Sequence, residues 1–423
     1  MAVSPRWFIF ITVILGTVLA SKLQYVFDVE GIDGNMIRNI ATNVAGGFHL
    51  LIGIVQGKRL IFPQRVRPYL LLIVIAVLSL PWAIDLVEGV RFVSILMIPI
   101  LVLFVSGAFF DREDYLWVFR CVSWLAMIQL IVGTVEYFVH PESRVSALHD
   151  VPAVLSWFLC VVVLVNSYLV YRKDLGFGFL TLYLVWSSVI IVLTGARIGL
   201  LMFPAALLYV FRQLRTRKVV VFAISCLSLV VVSLIFIFQM NIGTGRLGVE
   251  VGGGDFEFVG EAGGTIAWRL LLWERLLGDW VNSPWVGYGA GADFAVSLKG
   301  GVTSDLNYVE DESLNTHNEY VKILYNHGLI GLVLLIWFGF NLLSIDTQFK
   351  TPLSGLVSFG AILWLIFSVT DNGLSYHGVT SLIFLFISFC CYENIYAALG
   401  RSSIDTLRPR VSSLWMRRFC RMR

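Results

Sequence analysis

Three basic side chains stand where apolar runs of this chain meet polar segments, and their types suit chemistry on a phosphorylated substrate. Arg197 lies in LTGARIGLL, between two apolar runs with almost no loop to spare. Arg269 lies in TIAWRLLLWERLL, one helical turn before Trp273. His317 lies in THNEYVKILYNHG (316–328), which runs straight into the apolar LIGLVLL. A guanidinium keeps its charge and bonds two phosphate oxygens at once, so paired arginines suit a diphosphate. A neutral imidazole beside anion-binding donors suits a general base.

The spacing Thr316-x-x-Glu319 fits a capping box, with the threonine hydroxyl on the Glu319 amide and the glutamate carboxylate on the Thr316 amide. This expectation puts His317 at the first helical position, where free amides and the helix dipole disfavour positive charge and keep the imidazole neutral near pH 7. His327-Gly328 then ends the short helix with a glycine cap. Thr194 and Gly195 allow a tight turn that fixes where Arg197 points. Arg275 shares the helix of Arg269 but lies on another face beside Glu274, so it ranks lower. Trp273, Asn318 and Tyr320 flank the basic residues and are expected to contact substrate. The plain alternative for each arginine is a side chain that snorkels to lipid headgroups or decorates an interfacial helix.

The elements that must hold these residues are apolar helices. Of 423 residues, 58% are hydrophobic and only 14% charged, and the mean hydropathy is +0.82; a soluble domain carries about a quarter charged residues. The chain is expected to be an all-α polytopic membrane protein. Runs long enough to span occur near 6–23, 36–56, 69–85, 92–110, 117–139, 152–171, 176–194, 197–211, 219–240, 328–346, 353–370 and 378–398, about twelve in all. The first run lacks a following A-x-A-like cleavage site and reads as an anchor rather than a signal peptide.

With the N-terminus cytoplasmic, every basic cluster falls on one side: Lys58 to Arg67, Arg112, Arg172 and Lys173, Arg212 to Lys218, and the tail from Arg401. The division expected is 1–240 with nine spans, a periplasmic loop at 241–327, three spans in 328–398 and a basic cytoplasmic tail at 399–423. Within the loop, the glycine-rich 243–264 suits a lid or turn segment, and 265–281 suits an amphipathic helix stopped by Asn-Ser-Pro at 282–284. None of the six cysteines lies in that loop, so neither a disulfide framework nor a cysteine metal site is implied. No HExxH, DxD or Gly-x-Ser-x-Gly occurs in the exported segments, and the acids at 305–312 suit a solvated loop; no metal site and no nucleic-acid partner are expected. The in-span polar residues Asn43, His49, Asn166 and Glu393 are scattered, unlike the paired broken helices of transporters.

LTGARIGLL, WRLLLWERLLGDWVNSPWVGYGAG and THNEYVKILYNHGLIGLVLL, in that order, resemble the O-antigen ligase and polymerase superfamily of membrane glycosyltransferases, over about 190–335. The resemblance implies a GT-C-like enzyme in the bacterial inner membrane that moves a glycan en bloc from undecaprenyl diphosphate to an acceptor hydroxyl on the periplasmic face. It implies diphosphate binding by Arg197 and Arg269 and acceptor activation by His317, with neither metal, cofactor nor nucleotide sugar. The acceptor expected is lipid A-core, since polymerases of this kind often have two large loops; a carrier-linked glycan is the acceptor in the polymerase alternative. A lipid-linked-glycan transporter or assembly scaffold is the alternative of another class. Ala196 departs from the serine common before the arginine, and the glycine-rich 243–264 departs on the acceptor side.

Overall fold

The computed structural model describes residues 4–17, 34–58, 60, 62–140, 144–149, 151–214, 264–299 and 316–399. Among these residues the chain is helical throughout, with no strand. The helices are α1 (Pro5–Thr17), α2 (Gly34–Val55), α3 (Arg67–Leu78), α4 (Leu86–Phe109), α5 (Arg112–Val139), α6 (Pro152–Tyr171), α7 (Phe177–Leu193), α8 (Arg197–Leu214), α9 (Gly264–Trp280), α10 (Ala292–Lys299), α11 (Glu319–Phe349), α12 (Pro352–Thr370) and α13 (His377–Leu399).

Seven of the described helices are long and apolar enough to cross a membrane: α4, α5, α6, α8, and most or all of α11, α12 and α13. With backbone polar groups satisfied inside each helix, such segments make a multi-pass membrane protein. In the apolar runs expected near 6–23, 36–56 and 69–85 the described residues form α1, α2 and α3, which do not meet that standard; residues 18–23 lie outside the described residues. The run at 176–194 is the shorter apolar helix α7, and the run at 219–240 lies outside the described residues. Helix α3 stops early because Pro81 cannot continue it; a single 3-10 turn, Leu80–Trp82, follows.

Local chemistry sets the helix ends. Asp85 caps α4 by accepting the Val87 amide at 2.9 Å, Asp111 and Asp114 form a capping box at α5, and Thr351 and Ser354 do so at α12, with Pro352 at its first position. Helix α6 is central: every residue from Val154 to Leu169 is buried, against α5, α7, α8 and α12. Its Trp157 stacks on Phe367 of α12 at 4.4 Å. Buried hydroxyls are satisfied across helices, as Tyr115 with Ser388 at 2.7 Å and Tyr183 with the Leu159 carbonyl at 3.1 Å.

The two ends of the bundle differ in chemistry. At one end Arg212 of α8 grips Asp346 near the end of α11, with Nη2 to Oδ1 at 2.7 Å. Arg65 donates to the Asn341 carbonyl at 2.8 Å, and Arg112 pairs with Glu393 at 3.0 Å. The basic residues Arg65, Arg112 and Arg212 thus gather at one end, and His317 lies at the other. Tyr209, late in α8, bonds the carbonyl of Pro352, first in α12, at 3.0 Å. These two helices are therefore antiparallel, which sets the start of α8, with Arg197, toward the end of the bundle where α12 finishes.

Candidate active site

Helix α11 is two helices in one. Gly328 takes φ 62° and ψ −163°, separating a short helix, Glu319 to His327, from the long apolar one. The segment 284–289 fills the break. Leu329 and Ile330 donate their amides to the carbonyls of Pro284 at 2.8 Å and Trp285 at 3.3 Å, while Tyr288 and Gly289 donate to those of Tyr325 at 3.0 Å and Asn326 at 2.9 Å. The backbones touch: a methyl group on Gly328 would sit 2.3 Å from the Trp285 carbonyl. The glycine cap expected after His327 is what the structure has, and its physical reason is this close crossing.

The start of the short helix differs from the expected capping box. Its N-cap is Asn318, whose Oδ1 accepts the amides of Tyr320 at 3.0 Å and Val321 at 3.1 Å. Thr316 and Glu319 are drawn away by tertiary partners. The Thr316 hydroxyl donates to Asp293 Oδ2 at 2.6 Å, and Glu319 Oε2 accepts the Leu374 amide at 2.8 Å. His317 therefore precedes the cap instead of occupying the first helical turn. The helix-end argument for its neutrality loses its basis, because Asn318 already takes the first-turn amides.

A different neighbour gives His317 its setting. Its Nδ1 lies 3.3 Å from Asp371 Oδ1, with the imidazole 15% exposed and the carboxylate 4%. The imidazole can thus be reached while the carboxylate stays covered. Asp371 caps the end of α12; its Oδ1 also accepts the Asn372 amide at 2.8 Å and the Tyr376 hydroxyl at 3.3 Å. His317 adopts φ 46°, a left-handed conformation costing a non-glycine residue on the order of 1–3 kcal/mol. It persists because both flanks are pinned: Trp273 Nε1 donates to the Thr316 carbonyl at 2.6 Å on one side, and Asn318 caps the helix on the other.

Arg269 reaches the same place from α9. Its Nη1 donates to the Thr370 carbonyl at 3.4 Å, next to Asp371. Leu272 and Leu276, on the same helix, are buried against Ala292 and Tyr325. The exposed Arg275 and Glu274 lie elsewhere on α9. Arg197 opens α8 and is exposed. The turn before it is fixed as its residues suggested: Gly195 takes φ 61°, and Thr194 Oγ1 meets Ser156 Oγ at 2.9 Å and accepts the Ala196 amide at 3.2 Å. The structure thus brings His317 and Arg269 to one turn, Thr370–Asp371, and sets Arg197 at the same end of the bundle.

The residues expected to contact substrate have structural bonds. Trp273 holds Thr316, Asn318 caps the helix, and the Tyr320 hydroxyl donates to the Leu365 carbonyl at 3.1 Å. Asp371 was absent from the expected site; DNG at 371–373 is a turn signal with nothing to mark it as a histidine partner. Lys322 was missed as well. It is buried, donates to Ser375 Oγ at 3.1 Å and lies over the Phe92 ring at 5.2 Å. Among the described residues no group of three or more His, Cys, Asp or Glu side chains is placed to hold a metal ion.

No curated protein matches the chain. Residues 182–336 match the model of a family described as O-Antigen ligase, a stretch that contains Arg197, Arg269 and His317 and ends before Asp371. Over that stretch the chain is similar to the O-antigen ligase family.

Proposed function

We propose that the chain transfers a glycan en bloc from undecaprenyl diphosphate to an acceptor hydroxyl at the His317 end of the bundle. The observation that carries this reading is the His317–Asp371 pair, 3.3 Å apart, beside the turn that Arg269 reaches. Asp371 Oδ1 lies 3.3 Å from Nδ1, where a carboxylate favours the imidazolium that forms when His317 Nε2 takes the acceptor's proton. The acceptor oxygen attacks the anomeric carbon, the bond from that carbon to the diphosphate oxygen breaks, and the leaving diphosphate gains one negative charge. Arg269 and Arg197 offset that charge. A single displacement inverts the anomeric centre.

The basic end, with Arg65, Arg112 and Arg212, is the cytoplasmic one by the distribution of positive charge. The His317 end then faces the periplasm, with the bundle in the inner membrane. Lipid A-core is the acceptor in this reading, which the single large loop expected on that side supports. Purified protein supplied with lipid-linked donor and either acceptor tests this. Chains attached to core are the expected product; a ladder of carrier-linked chains with no core product would overturn the ligase reading in favour of a polymerase.

A further inference from the structure

The segment leading into α6 is anchored more firmly than a connection needs. Glu136, near the end of α5, accepts the amides of Ser146 at 3.1 Å and Ala147 at 2.5 Å, and the Ser146 hydroxyl at 3.1 Å. Gln129 Oε1 accepts the Leu148 amide at 3.1 Å, and the Val145 amide donates to the Leu193 carbonyl at 3.3 Å. Val145 is fully buried and Ala147 holds φ 53°. Two helices, α5 and α7, thus fix residues 145–148 and with them the direction of the residue before.

That residue is Arg144. Its side chain runs along Gly195: a methyl group built there would lie 3.5 Å from Nε and 3.6 Å from Cδ. Gly195 belongs to the turn that ends at Arg197, so two exposed arginines flank one turn. Neither has an ion-pair partner among the described residues. Burial pushes the nearby His149 imidazole down to about 3, so Arg144 carries the positive charge of segment 144–149. Two cations that flank one turn are held together at a cost that a bound anion would relieve.

The turn is linked to the end of α12 through α6. Thr194 bonds Ser156 at 2.9 Å, and the neighbouring Trp157 stacks on Phe367 at 4.4 Å, about one helical turn below the Thr370 carbonyl that Arg269 meets.

We infer that Arg144 and Arg197 form a paired-guanidinium clamp for the diphosphate of the lipid-linked donor, Arg144 being a binding residue outside the matched family segment. This rests on the donor class proposed above. A diphosphate presents oxygens on two phosphorus atoms, which two planar forks on either side of a turn can share; a monophosphate presents one set.

The test is titration of the full-length protein in detergent with undecaprenyl diphosphate, and with undecaprenyl monophosphate for comparison. Arg144→Ala is expected to weaken diphosphate binding about tenfold or more, the usual effect of losing a charge-assisted hydrogen bond. Arg144→Lys is expected to recover part of it, and monophosphate binding to change less. Because Arg144 is exposed, both variants should melt as the wild type does, which separates lost binding from lost fold. Unchanged diphosphate affinity in Arg144→Ala overturns the clamp, and leaves the donor reading standing where Arg269→Ala still weakens binding. A wild-type protein that binds no diphosphate overturns the donor reading and the clamp together.

Discussion

His317 and Asp371 meet at 3.3 Å although one precedes α11 and the other closes α12. A carboxylate beside Nδ1 stabilises the imidazolium that forms when a histidine takes a proton on Nε2. Asp371→Asn should keep the shape of the site and lower transfer about 10²–10⁴-fold, the range spanned by losing general-base help. The rate of undecaprenyl diphosphate release checks it; a rate within a factor of about two of wild type would remove Asp371 from the mechanism.

Arg269 reaches the Thr370 carbonyl with one guanidinium nitrogen. Arg269→Ala should lower kcat about 10²–10³-fold if it meets the charge that develops on the leaving diphosphate. Arg269→Lys should recover only part, since an ammonium cannot bond two oxygens in a plane. Steady-state kinetics that show a raised KM with unchanged kcat would limit Arg269 to ground-state binding.

Trp273 holds the Thr316 carbonyl through its indole N–H at 2.6 Å. Trp273→Phe retains the ring and loses the bond, at a stability cost of about 0.5–1.5 kcal/mol. Transfer should fall further than stability does, because the left-handed His317 depends on that anchor. Melting and turnover measured on the same preparation distinguish the two effects.

Gly328 and Gly278 make a matched pair for stability. A methyl on Gly328 meets the Trp285 carbonyl at 2.3 Å at a positive φ, whereas one on Gly278 in α9 meets nothing within 4 Å. Gly328→Ala should abolish monodisperse protein or lower its melting temperature sharply. Gly278→Ala should be neutral or stabilise by up to about 1 kcal/mol through helix propensity. Equal behaviour of the two in size-exclusion and melting experiments would contradict the close crossing of 284–289 over the helix break.

Much of the scaffold was legible because its signals are local. The run at 152–171 is helix α6 (Pro152–Tyr171), and Asn-Ser-Pro at 282–284 stops α9 at Trp280. The glycine break at Gly328 and the turn at Thr194–Gly195 follow from residue type in the same way. The capping box failed where tertiary bonds outcompeted local ones: Asp293 takes the Thr316 hydroxyl and Leu374 the Glu319 carboxylate, leaving Asn318 as the cap. Asp371 and Arg144 escaped because each gains its meaning from a distant element, α11 for one and the α7–α8 turn for the other. Periodicity within a segment carries no record of such pairings.

The most direct measurement is glycan transfer by purified wild-type protein and His317→Ala, with undecaprenyl-diphosphate-linked glycan and lipid A-core, followed by the anomeric configuration of the product. The expected result is wild-type transfer with inverted configuration, one undecaprenyl diphosphate released per chain moved, and a folded His317→Ala variant slowed by about 10²-fold or more. Transfer by His317→Ala at the wild-type rate, or a product that retains the donor's configuration, would contradict a single displacement driven by His317.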